Sequence, residues 1–292
     1  SELGIGDGAI NALFVDSKGI IWMGTGTGLL SSEPKGAKRI LVNHGKIARV
    51  MRNAITCLSE DKNGKIWIGT YGDGAYVYNR RDYYRVDLNH ELYKQTVFDI
   101  FFDESDVCWI ATLNAGLVQY DQKTKEFTSY TEKNGLGNNH VRAIIKDNWG
   151  DLWIGTSGGG VSQFAGKLFS HYSVSAGLGG NFIYSIYRDS GNKLWFGTSQ
   201  NGVSIYENGV FSQLNVENGF EAIKVSASTL AGKTSTSSPR AAMCSMVDRL
   251  MPRSTIATLP TLVPSAATVS LPPRRVGAVP PSPSIGSRAG LR

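Results

Sequence analysis

One tryptophan-centred pattern recurs along this 292-residue chain and limits its fold more than any other feature. Trp22, Trp67, Trp109, Trp153 and Trp195 follow one another at intervals of 45, 42, 44 and 42 residues, while Trp149 stands outside the series. Six residues before each is an aspartate (Asp16, Asp61, Asp103, Asp147, Asp189), and three after each is a threonine (Thr25, Thr70, Thr112, Thr156, Thr198). Two after comes Gly24, Gly69, Ala111, Gly155 or Gly197; seven after comes Gly74, Gly116, Gly160 or Gly202, with Gly28 one place early in the first copy. Twelve before is always β-branched (Ile10, Ile55, Val97, Val141, Ile183), and ten before is small or short (Ala12, Cys57, Asp99, Ala143, Ser185). A period in this range marks supersecondary units that bury their faces against one another.

Each copy reads as short strands rather than helices. In the fourth, Val141 to Lys146 is an apolar strand that meets the turn Asp147-Asn148-Trp149-Gly150, where an aspartate bonds its own backbone and glycine tolerates positive φ. Asp151 to Thr156 carries the tryptophan, Gly158-Gly159-Gly160 turns into Val161 to Phe164, and a turn at Gly166 precedes Leu168 to Tyr172. Four antiparallel strands per unit predict an all-β fold, a β-propeller with five visible blades at about 1–47, 48–92, 93–136, 137–178 and 179–220. The strand with the small residue is expected to lie innermost, crowded against the axis.

The string Val141-x-x-Ile144-x-x-Asp147-x-x-Gly150-x-Leu152-Trp153-Ile154-Gly155-Thr156-x-Gly158-Gly159-Gly160-Val161 resembles the two-component regulator propeller repeat, as do the linkers Asn134-Gly135-Leu136, Ala176-Gly177-Leu178 and Asn218-Gly219-Phe220. The likeness covers roughly residues 1 to 220. The third copy departs most, with Ala111 for glycine and Asp106 where glycine is usual, so a distorted third blade is expected. The resemblance implies part of a larger propeller of about seven blades, in a periplasmic or extracytoplasmic ligand-sensing region. It implies a small-molecule or oligosaccharide ligand, covalently linked signalling modules such as a histidine kinase elsewhere in a parent protein, and homodimerisation through that parent. No kinase motif, no phosphoacceptor setting around His44, His90, His140 or His171, and no apolar run long enough for a membrane helix is present in the sequence itself. No signal peptide is read at Ser1-Glu2-Leu3 either.

The net charge of +6 is misleading as a guide to partners. Residues up to Ile223 hold 21 basic and 23 acidic side chains, whereas residues 224–292 hold nine basic ones and Asp248. That second segment also has nine of the ten prolines and no Phe, Tyr or Trp, so it lacks the apolar surface to offset its ordering entropy. A nucleic-acid partner is therefore not expected, because a basic groove belongs on the folded part among aromatics. Two readings of 221–292 stand side by side: a genuine Ser/Pro/Ala/Arg-rich tail, or a slip of reading frame after about residue 223 that interrupts a sixth copy.

The repeated residues read as structural and the residues that differ between copies read as functional. Aspartates in identical settings make turns, since a catalytic pair needs two environments, and the tryptophans read as packing between blades. The run Gly24 to Gly28 opens no helix and is no phosphate loop. Cys57, Cys108 and Cys244 show no metal or disulfide spacing, so no metal, no cofactor and no catalytic residue is expected. In a propeller, the linker before the first strand and the turn between the second and third lie on one face, at the channel mouth. These loops carry Arg52, Asn53, Tyr71, Asp73, Gln95, Asn114, Asn139, His140, Asn181, Phe182, Gln200 and Asn201. Amides, an arginine and aromatics around a concave mouth suit a polyhydroxylated ligand. The expected function is a ligand-binding sensor rather than an enzyme, ahead of an interaction scaffold binding protein or cell-surface polysaccharide, and of a propeller lyase.

Overall fold

The computed structural model describes residues 10–35, 38–43, 53–86, 91–215 and 217. The segment 221–292, with both readings of it, lies outside them. Each repeat forms its own antiparallel sheet of four strands in sequential order. The first holds β1 (Ile10–Val15), β2 (Ile21–Thr25), β3 (Leu29–Lys35) and β4 (Lys38–Asn43). The second holds β5 (Ile55–Glu60), β6 (Ile66–Thr70), β7 (Ala75–Tyr78) and β8 (Tyr83–Arg85); the third, β9 (Val97–Phe102), β10 (Cys108–Thr112), β11 (Leu117–Tyr120) and β12 (Phe127–Tyr130). The fourth holds β13 (Val141–Lys146), β14 (Leu152–Thr156), β15 (Val161–Ala165) and β16 (Leu168–Tyr172), and the fifth β17 (Ile183–Arg188), β18 (Leu194–Thr198), β19 (Val203–Glu207) and β20 (Val210–Leu214). This is a β-propeller architecture, with short 3-10 turns at Glu91–Lys94, Glu132–Asn134 and Val174–Ala176 between the later sheets.

The repeated aspartate organises each blade. One carboxylate oxygen of Asp147 accepts from the backbone N–H groups of Trp149 and Asp151, closing the turn, and the other accepts from the indole N–H of Trp153 at 2.8 Å. The same three bonds recur on Asp16, Asp61, Asp103 and Asp189, with indole distances of 2.8, 3.2, 3.3 and 3.1 Å. A turn is thereby bolted to the tryptophan of the strand it leads into, and no indole N–H is buried without an acceptor. The repeated threonine closes the opposite end: its hydroxyl donates to the carbonyl of Gly28, Gly74, Gly116, Gly160 or Gly202 at 2.7–3.0 Å across the turn between second and third strands.

The tryptophans pack forward onto the next blade. Trp22 meets Tyr78 edge-on, Trp67 meets Phe102 and Tyr120, Trp109 meets Phe164, and Trp153 meets Tyr206 and Phe196. Each such aromatic pair contributes about 0.5–1.5 kcal/mol beyond the area it buries. The core is accordingly a series of inter-blade layers, each built from two successive sheets. The second strand, covered on both faces, is buried throughout in blades two, three and four. Linker residues Leu136 and Leu178 plug these layers from one end. Trp195 has no blade beyond it among the described residues and is only partly buried.

The glycine two after the tryptophan is a point of close approach. A β-carbon on Gly155 would lie 2.6 Å from the Cγ2 of Ile183 in the next blade, and one on Gly24 would lie 2.4 Å from that of Ile55. Gly69 likewise faces Val97, whose Cγ1 would lie 2.8 Å from an added β-carbon, whereas the third copy buries the methyl of Ala111 in the layer it shares with Val141. Its other departure is equally absorbed: Asp106 adopts φ of 64°, the left-handed conformation that Gly64 takes at 74° and that Asp and Asn tolerate better than other residues. The third blade is thus not distorted as the sequence suggested; it has all four strands and the register of the others.

Two substitutions test this framework by urea unfolding. Asp147→Ala leaves the Trp153 indole N–H and two turn N–H groups without their acceptor, and should cost about 2–4 kcal/mol. Gly155→Ala should cost about 1–3 kcal/mol through overpacking, and Ile183→Ala, which removes the Cγ2 that the new methyl meets, should cost measurably less in the Gly155→Ala background than alone. An additive pair would show that this contact does not set the blade spacing.

Candidate functional site

The first strand of every blade carries the same β-bulge. Its first residue pairs with the repeat threonine and its third with the residue two after the tryptophan, as in Val141 with Thr156 and Ala143 with Gly155, so the strand register skips one residue between them. The bulged residues are Asn11, Thr56, Phe98, Arg142 and Tyr184. A bulge re-aims a side chain and sharpens strand twist, which is why bulges accumulate beside binding sites. Here β1, β5, β9, β13 and β17 follow one another around an axial cavity of about 90 Å³, and Thr56, Phe98, Arg142 and Tyr184 line it.

Arg142 is the best-defined element of this ring. Its guanidinium lies 4.0 Å from the Phe98 ring centroid and 5.8 Å from that of Tyr184, and its Nε–H donates to the Ser157 hydroxyl at 2.9 Å. Burial holds its pKa below the ordinary arginine value. His140 stacks on the same Phe98 with centroids 5.6 Å apart, and its Nε2 is buried with no hydrogen-bond partner. Burial first and the Arg142 charge second depress its pKa, so His140 is neutral at pH 7. Thr56 differs, donating its hydroxyl to the Val97 carbonyl and tying the second blade to the third.

Asp99 follows Phe98 and opens on the same cavity. Its carboxylate accepts from the N–H groups of Ile100 and of Ile144 in the next blade, both at 2.9 Å. Burial pushes this carboxyl up to about 6, against the pull of those two bonds.

The linkers and second-to-third-strand turns do lie at one end. Tyr71, Leu113, Ser157 and Ser199 donate their N–H groups to the carbonyls of Ala54, Thr96, His140 and Phe182 in their own blades, and Gly74, Gly116 and Gly160 donate to Gln95, Asn139 and Asn181 of the following blade's linker. Several expected ligand residues spend their side chains on this scaffold. Asn139 accepts from the N–H of Glu132, Asn181 from that of Val174, and Gln95 from that of Asn114; Asn201 donates to the Gly179 carbonyl. Asp73 pairs with Arg85 at 2.9 Å and accepts from the Tyr76 hydroxyl. Asn53, Asn114 and Gln200 are exposed, as are Tyr71 at 62% and Phe182 at 47%, large apolar faces held open to solvent. Arg52 lies outside the described residues. A larger hollow of about 220 Å³ is walled by Asp103, Trp109 and Phe164 between the third and fourth blades, but its aspartate and tryptophan belong to the framework common to every copy.

Known proteins share this geometry in part. The model of the two component regulator propeller matches residues 4–27, 50–72, 135–158 and 177–200. Four of the five repeats thus resemble that family. The divergent third copy is the one that the family model passes over, although its blade is regular. Similar in fold are the extracellular domains of two proteins of B. thetaiotaomicron named as hybrid two component systems. The first has a TM-score of 0.67 and 24% identity over 77% of this chain and 30% of that one; the second has 0.61 and 23% over 73% and 32%. A curated relative, Histidine kinase P4 of Formosa agariphila, is 29% identical over 138 residues, 44% of this chain and 10% of the kinase. The chain thus spans about a tenth of that relative. A virginiamycin B lyase of Staphylococcus aureus shares the fold at a TM-score of 0.56 and 12% identity.

Sequence reasoning about this propeller missed the bulge ring. A signal was available eleven residues before each tryptophan, where Asn11, Thr56, Phe98, Arg142 and Tyr184 differ in every copy between two restricted positions. The candidate list drew on the loops and passed over variability inside a strand.

Asp99 yields a pH prediction. Its folded-state value of about 6 exceeds the ordinary 3.8. The folded protein therefore holds this proton more tightly, and the carboxyl's contribution is most favourable at acid pH and is lost as pH rises through 6. In urea titrations of the propeller, the wild-type minus Asp99→Asn stability difference should shift against the wild type across that range; a flat difference would show that Asp99 titrates normally.

Proposed function

We propose that this chain is part of the extracytoplasmic ligand-sensing region of a two-component signalling protein, and that its axial mouth binds an oligosaccharide. The observation that carries the reading is the bulge ring: a constant framework brings four non-identical side chains, Thr56, Phe98, Arg142 and Tyr184, to one axial cavity. Repeats that are uniform in their packing and variable at one concave spot suit a receptor, because pocket chemistry changes there without disturbing the inter-blade layers. Exposed Tyr71 and Phe182 supply ring faces of the kind that pack on sugars, and the exposed amides of Asn53, Asn114 and Gln200 supply donors and acceptors. The regulator propeller repeats and the fold likeness to extracellular domains of hybrid systems support an extracytoplasmic setting. Among the described residues, no helix is long and apolar enough to cross a membrane. In this reading output passes through modules covalently linked in a parent protein. The likeness to a lyase, at 12% identity, bears on fold alone.

The test is calorimetric titration of the chain with a panel of neutral and acidic oligosaccharides. At least one should bind, and Phe182→Ala or Tyr71→Ala should weaken it by roughly tenfold, the equivalent of about 1.4 kcal/mol. Binding that neither substitution changes, or no binding across the panel, would remove the oligosaccharide from the proposal.

A further inference from the structure

The axial ring leaves one charge without a counter-charge. Arg142 forms no ion pair among the described residues, and its one hydrogen bond, from Nε–H to Ser157, leaves both terminal NH₂ groups without an acceptor. Asp99 does not serve as its partner, because that carboxylate is committed to the N–H groups of Ile100 and Ile144. Neutral His140 supplies no charge of either sign. A guanidinium partly withdrawn from water gives up hydration, and such a group is normally compensated by an anion or by acceptors that satisfy its donors. Contact with Phe98 and the Ser157 bond fix the plane of the fork, so its end presents two N–H donors side by side in the spacing that a two-oxygen anion accepts. The surroundings are the Asp99 carboxyl, tied down by its two N–H donors, and ring faces: Phe98 and Tyr184 in the cavity, and Phe182 exposed near Ser157, with which it forms an isolated bridge.

We propose that Arg142, oriented by Ser157 and Phe98, is the receptor for an oxyanion carried on a sugar ring, so that the axial ligand is an acidic saccharide rather than a neutral one. The shared chemistry is a carboxylate or a sulfate ester. This rests on the axial mouth being a ligand site, and narrows that reading to one class of ligand. Phe98 holds the fork in place, and Tyr184 would take the apolar face of the same ring while the fork takes its charge.

The experiment observes the arginine Nε–Hε cross-peaks of the ¹⁵N-labelled chain, with Arg142 assigned by its disappearance in Arg142→Lys. D-glucuronate, glucose 6-sulfate, glucose and inorganic sulfate are titrated separately. The expected result is a saturable shift of the Arg142 peak with glucuronate or with glucose 6-sulfate, whichever oxyanion the fork accepts, and affinity for glucose at least about tenfold weaker. Ser157→Ala, which frees the fork without removing it, should weaken the acidic sugar while leaving the fold intact by circular dichroism. A peak unmoved by both acidic sugars, or moved equally by glucose, overturns the proposal; inorganic sulfate acting as strongly as the sugars overturns its saccharide half. A reporter of the parent's output separates this from the sensor reading. Silence of the reporter while the Arg142 peak responds would sink the sensor and leave the anion site. A neutral sugar that drives the reporter while the peak stays still would do the reverse.

Discussion

The bond from each tryptophan indole to the aspartate six residues earlier is the constraint on which the rest of this structure depends. An indole placed between two sheets must find an acceptor for its N–H or lose the stabilisation its burial brings. The aspartate is that acceptor, and its second oxygen closes the turn that sets the strand pair. A carboxylate so deeply placed needs compensation of its own. For Asp16, burial works to raise the pKa, but the bonds from Trp22, Ile20 and Arg80 outweigh it and leave the carboxyl below its ordinary value. Arg80 reaches Asp16 from the second blade at 2.9 Å and also pairs with Glu60, so the same group that organises one blade is clamped by the next.

Once this bond fixes the tryptophan, the spacing of blades follows. The indole faces forward onto aromatics of the next sheet, and the glycine two residues on lets the next first strand approach within van der Waals contact. Because each layer is shared between neighbours, a blade cannot relax alone; the propeller behaves as a chain of coupled interfaces, in which strain at one glycine is felt by the isoleucine or valine opposite. The bulge exploits that rigidity. It takes one residue out of the ladder in each innermost strand and turns it to the axis, where its identity no longer affects strand pairing. Thr56 uses that freedom to tie two blades together; Phe98, Arg142 and Tyr184 use it to form a cation held against aromatic rings.

The fold was legible in the sequence because its determinants are local and repeated. Asp147, Trp153 and Thr156 interact within ten residues, so their spacing encodes their contacts. The departures in the third copy looked more disruptive than they are. Asp106 reaches the left-handed conformation that its glycine counterparts adopt, and the layer shared with Val141 holds the methyl of Ala111. Candidate ligand residues were less legible. Asn139 and Asn181 looked like a mouth of open amides, yet their side chains accept from N–H groups in their own linkers; exposed Tyr71 and Phe182 are different, and sequence alone does not separate the two groups.

By itself the sequence determined the strand order, the turn chemistry and the blade period, since these rest on bonds between residues near one another in the chain. Only the tertiary structure decided which variable residues meet. Phe98, Arg142 and Tyr184 lie on three different blades more than forty residues apart, and they come together because the bulge breaks the two-residue alternation of the strand and the stacking of sheets turns these three bulged positions toward one cavity.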